Sequence, residues 1–85
     1  MIHWEKWKKE MSTGSLPSYI RKGTWLNETS IEVALSRAEE KSKVWHEAIR
    51  INDQIVYQCG MNMHENVYDA KRDICDRAEY WIENS

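Results

Sequence analysis

The feature that most constrains this chain is a long stripe of apolar positions between Asn27 and Gly60. Steps of four and three residues from Ile31 reach Leu35, Ala38, Ser42, Trp45, Ile49, Asn52, Val56 and Cys59, with Ala34, Ala48 and Ile55 beside the stripe. Seven of these nine positions are apolar or small, which is the spacing of one face of an α-helix. Thr29 with Glu32 reads as a capping box and Leu26 with Ile31 as a hydrophobic staple at its start. Gly60 reads as the residue that ends it. Within the segment 27–60, the helix predicted from about 29 to 59 is roughly 45 Å long at ~1.5 Å per residue.

A second start follows at Asn62, with Glu65 three residues later. Val67, Ala70, Ile74, Ala78, Trp81 and Ile82 then recur at helical spacing. So short a link between two helices predicts an antiparallel hairpin. Its second member, 62–84, is too short to cover the first ten residues of the long helix. The expected fold is therefore all-α: a long antiparallel helical hairpin with a short N-terminal helix or arm, 1–26, in a single 85-residue domain. The uncovered apolar end predicts a homo-oligomeric helical bundle. The polar seam residues Ser42 and Asn52 fit a role in setting register and subunit number.

In the arm, Trp4, Trp7 and Met11 fall at i, i+3 and i+7, with Lys6, Lys8 and Lys9 opposite. Gly14 and Pro17 break the chain, and "SYIRKGTW" follows with the aromatic and β-branched content of an extended segment. Its Tyr19, Arg21, Lys22 and Trp25 are a candidate ligand set, because rings stack bases while Arg and Lys take phosphate oxygens. Five tryptophans, four tyrosines and no phenylalanine favour side chains with a polar handle, a composition suited to interfaces. Trp4, Trp7, Lys8 and Trp25 are the candidate partner-binding residues.

Charge narrows the partners. Residues 1–25 carry five bases against two acids and the remainder seven against twelve, for a net charge of −2. An acidic body opposes tracking along a nucleic acid, which requires neutralising many phosphates. No run approaches the roughly 20 apolar residues of a membrane span. Two cysteines are too few for a disulfide framework, so the reading is a cytoplasmic protein with free thiols.

No catalytic or metal constellation stands out. Cys75 and Asp76 map near His46 on the predicted hairpin, where a small buried thiol is the ordinary reading. Cys59 and Cys75 lie too far apart to share a metal or a disulfide. The expectation is a non-enzymatic inhibitory or regulatory protein, of the kind mobile elements such as phages carry, without cofactor or metal. It would dock a protein partner through the Trp-rich basic arm, or else sequester a small nucleotide or other anionic ligand at Tyr19, Arg21, Lys22 and Trp25 between subunits.

Overall fold

The computed structural model describes residues 1–11, 17–37, 39 and 41–84, and its architecture is mostly β. Strands β1 (His3–Trp4), β2 (Lys8–Glu10), β3 (Ser18–Trp25), β4 (Thr29–Arg37), β5 (Val44–Ile51) and β6 (Gln54–Met63) precede one helix, α1 (Val67–Glu83). All pairings are antiparallel, in the order β1–β3–β4–β5–β6, with β2 also on β3. The all-α hairpin and the helical bundle are therefore incorrect. Of the two helices expected at 27–60 and 62–84, the first region holds three strands. The second begins as strand and becomes helical only at Val67.

The reason is a period of two that the four-three stepping conceals. In β4, Ile31, Val33 and Leu35 are buried while Glu32, Ala34 and Ser36 face the other way; in β5, Trp45, Glu47 and Ile49 are buried between His46, Ala48 and Arg50. The four-residue steps 31 to 35 and 45 to 49 lie inside strands, where an even step keeps the same face. The three-residue steps 42 to 45 and 49 to 52 touch turns, where the face resets. Ser42 and Asn52, read as polar seam residues, are themselves turn residues. Ser42 Oγ accepts from Val44 N at 3.0 Å, and Asn52 and Asp53 have φ of 50° and 67°. Two consecutive left-handed residues between Ile51 and Gln54 form the two-residue hairpin turn that matches strand twist. Asn52 also accepts from Ser30 N through Oδ1 at 3.0 Å, tying this turn to the start of β4.

Thr29 is the first residue of β4 rather than a cap, and Gly60 lies within β6, where a Cβ would meet His46 Nδ1 at 2.9 Å. The actual helix cap is Asn66, whose side chain accepts from Asp69 N at 3.0 Å. Ala70, Ile74, Ala78 and Ile82 form the buried stripe of α1. Each is four residues after the one before, and the small alanines let the helix sit close on the sheet. They pack on Ile31, Val33, Leu35, Trp45 and Ile49, with Ile2 joining the same core. The apolar start of the long stripe is thus covered by α1, and the overhang that motivated an oligomer does not exist.

The arm is also strand rather than short helix. Trp4 pairs with Gly23 and Lys8 with Ile20, so three arm residues span two residues of β3. The extra residue is a bulge. It brings Trp4 and Trp7, an odd number of residues apart, to the same side of the sheet. Gly23 permits the close approach, since a Cβ there would lie 2.7 Å from Ile2 Cγ2 and 2.9 Å from Trp4 Cε3. Met11 is exposed, and Gly14 lies outside the described residues.

Candidate functional site

The side chains of chemical interest gather along the two flanks of α1, on the free edge of the sheet and on the sheet face that carries no helix. On the arm flank, Arg21 lies between the two tryptophans, with Cζ 5.2 Å from the Trp4 ring centroid and 5.7 Å from that of Trp7. Lys71 of α1 lies 5.2 Å from the Trp7 ring and 4.9 Å from the Tyr19 ring. These are cation–π distances. Arg21 Nε also donates to the Glu5 carbonyl at 2.6 Å and Nη1 to Cys75 Sγ at 3.7 Å. Burial pushes the Cys75 thiol above its ordinary pKa, against the opposing pull of Arg21.

This geometry separates the candidate ligand set. Tyr19, Arg21 and Trp25 alternate along β3 on the side that faces α1, opposite Leu35, Val33 and Thr29. Lys22, opposite Glu32, points to the other side, so Tyr19, Arg21, Lys22 and Trp25 do not converge on one ligand. Among the candidate partner residues, Trp4, Trp7 and Trp25 are half-buried against the chain's own core, while Lys8 is exposed at the sheet edge. The proposed proximity of Cys75 and His46 also fails: Cys75 contacts Arg21 beneath α1, whereas His46 is exposed on the opposite sheet face. Both cysteines are free.

On the other flank lies a polar network that sequence reasoning missed. Glu47 of β5 is only 1% exposed. Its Oε2 accepts from Asn62 Nδ2 at 2.6 Å and its Oε1 lies 2.8 Å from His64 Nε2. Asn62 Nδ2 also donates to Tyr57 Oη at 3.0 Å, and Cys59 Sγ donates to Asn62 Oδ1 at 3.4 Å. From the helix, Arg77 Nε donates to Asp73 Oδ2 at 2.9 Å and stands 3.8 Å from Glu47 Oε2. The hydrogen bond to Asp73 holds the Arg77 guanidinium pKa above its ordinary value. The signal was present in "WHEAI": a carboxylate at an inward strand position between Trp45 and Ile49 requires partners.

The ligand atoms of Glu47, His64 and Asp73 lie within 4.8 Å of one another, close enough to hold one cation. Arg77 already supplies positive charge to both carboxylates, and Asn62 and His64 occupy the Glu47 oxygens. A divalent ion would have to displace these contacts, so the arrangement fits a structural clamp joining β5, β6 and α1 better than a metal centre.

On the helix-free face, Ile20, Ala34 and Ala48 form one row across the strands and Ser18, Ser36 and His46 the next. Together with Gly60 and Gln58 they line an open trough of about 630 Å³. The remaining surface feature is β6 itself. It forms one edge of the sheet and contains no charged residue and no proline, with Ile55, Met61 and Met63 exposed along it. On α1, Asp76, Arg77, Tyr80 and Trp81 line a shallow depression of about 420 Å³. Arg77 links this depression to β6, its Cζ lying 5.4 Å from the Tyr57 ring.

No described helix is long and apolar enough to cross a membrane. Comparison with protein-family models, curated proteins and solved structures finds no match, so the functional reading rests on these surfaces alone.

Proposed function

We propose that the chain is a non-enzymatic binding protein of regulatory or inhibitory character, working in the cytoplasm by docking on protein. The observation that carries this reading is the β6 edge together with the adjoining helix depression. Tyr, Trp, Arg and Met are the residues over-represented where proteins meet, and Lys is depleted there. Arg77, Tyr80 and Trp81 on α1 and Met61 and Met63 on β6 supply that composition, with Trp81 40% exposed. An open strand edge adds a row of backbone donors and acceptors for an incoming chain.

The arm takes a different part from that expected of its sequence. Its tryptophans brace α1, and exposed Lys6, Lys8 and Lys9 leave it a basic rim that favours approach to acidic surfaces. Sequestration of a nucleotide by Tyr19, Arg21, Lys22 and Trp25 gains no support, because Arg21 is engaged by two rings and a carbonyl while Lys22 faces away.

A photo-reactive residue at position 81, compared with one at position 22 on the opposite side, tests the reading in cells. The expected result is a discrete cross-linked protein adduct from position 81 alone. Equal labelling from both positions, or no adduct from position 81, overturns it.

A further inference from the structure

We propose that the occupant of this surface is a second copy of the chain, with β6 pairing antiparallel to its own equivalent about a twofold axis. The inference rests on the reading of β6 and its flank as a docking surface, and names what docks there.

The two edges of the sheet differ in the property that governs edge pairing. The arm edge is interrupted: β1 and β2 are two and three residues long, a bulge separates them, and β2 consists of Lys8, Lys9 and Glu10. Short strands, bulges and edge charges are the devices by which sheets resist further pairing. The β6 edge has ten residues in one strand and no charge. Its own irregularities are shifts of register against β5 near Trp45 and Ile49, and the strand continues through both.

An uncharged edge does not specify a partner of opposite charge. It does allow self-pairing, because antiparallel association about a twofold places no like charges of the strand against each other. The asymmetry between edges also decides closure. Growth of β6 onto the arm edge of the next copy would generate an open filament, and the arm edge is the one protected. Pairing of β6 with β6 uses the same surface on both copies and closes at two.

Backbone pairing by itself buries little apolar surface, whereas stable dimers bury roughly 1,200 Å² or more in total. Edge-to-edge joining sets both helices on the same side of the continuous sheet. Arg77, which reaches the Tyr57 ring of β6, and the Tyr80 and Trp81 that share its depression then lie on the same sheet face as their equivalents in the second copy. Asp76 and Arg77 give that depression one charge of each sign, which a twofold can match to the opposite sign on the second copy.

Sedimentation equilibrium of the full chain at micromolar concentration, with and without the paired substitutions Ile55→Lys and Met61→Lys, tests this. Both side chains are exposed, Met61 by 77%, so neither change disturbs the core. The expected result is a wild-type mass twice that of the chain, halved in the double variant with an unchanged circular dichroism spectrum. Hydrogen exchange should show β6 amides losing protection in the variant while β4 amides keep theirs. A monomeric wild type overturns the proposal, and so does a dimer that survives both substitutions. If the wild type is monomeric yet position 81 still cross-links a different polypeptide, the docking surface stands and only the second copy is removed.

Discussion

The two flanks of α1 hold it to the sheet by different chemistry. Toward the arm, Arg21 and Lys71 meet the faces of Trp4, Trp7 and Tyr19. Toward β6, Arg77 and His64 meet the carboxylates of Glu47 and Asp73. Arg21 and Lys71 on one side and Arg77 on the other are the cations, and their counterparts differ. Rings provide broad, weakly directional contact that survives small displacements. The Glu47 carboxylate, in a dry setting, demands partners correctly placed, because a buried charge left alone is costly.

The sharpest way to break this comparison is Glu47→Ala. It leaves Asn62 and His64 without their acceptor and Arg77 with one carboxylate fewer. Removing one partner of a buried charged set costs about 3 kcal/mol or more, which for a domain of this size lowers Tm by at least ~12 °C. A loss below about 1 kcal/mol in urea denaturation would show that the network is not a clamp.

Trp7→Ala comes next. The ring is half-buried, so the expected cost is ~2 kcal/mol, below the 3–5 typical of a fully buried Trp. Trp7→Phe retains a ring face for Lys71 and Arg21 and should cost less than about 1 kcal/mol. Equal losses for the two substitutions would mean that indole-specific contacts, not the ring face, secure the arm.

Salt separates the flanks further. Arg77 has a 43% exposed side chain, so Arg77→Ala should cost only ~0.5–1 kcal/mol at low ionic strength. That penalty should shrink toward zero near 1 M NaCl, where screening acts over roughly 3 Å. The Trp7→Ala penalty should persist under the same conditions. Parallel salt dependence in the two variants would erase the distinction.

The smallest effect concerns pH. Cys75 keeps its proton in the folded chain beyond the ordinary value of 9.0, because burial disfavours the thiolate. The unfolded chain releases that proton first, so the contribution is intact below about pH 9 and declines as pH rises through the folded-state value. Cys75→Ala should flatten the fall in stability between pH 8 and pH 10 relative to wild type, measured by denaturant titration. A steeper fall in the variant would reverse the sign.

How legible this was in the sequence varies along the chain. The residues that form the core were visible: Ile31, Leu35, Trp45, Ile49, Ala70, Ile74, Ala78 and Ile82 are all apolar positions of the recognised stripes. Their secondary structure was not, because turns near Ser42 and Asn52 convert a period of two into an apparent alternation of four and three. The better signals were local. Asn52-Asp53 stands between two apolar-alternating runs, and β-branched residues crowd "IEV" and "IVY". Over 67–83 the two periods do not compete, since no turn interrupts the stripe. The arm tryptophans share a face as expected, but through a bulge rather than a helical turn, which no spacing rule distinguishes. The Glu47 network was legible only as a charge in an inward position; its partners Asn62, His64, Asp73 and Arg77 come together solely through the tertiary fold.

Every strand of the sheet precedes α1 in the chain, and this order has a consequence during synthesis. At roughly 5–20 residues per second, the neighbouring hairpins β3–β4 and β4–β5 can zip as soon as they leave the ribosome, since each joins consecutive segments. Until residues 67–83 follow, the row of Ile31, Val33, Leu35, Trp45 and Ile49 has nothing over it. A nascent chain paused at Asn66 would be a finished sheet with a bare, sticky face, and a natural client for chaperones. It is α1, synthesised after the strands it covers, that renders the sheet safe to release.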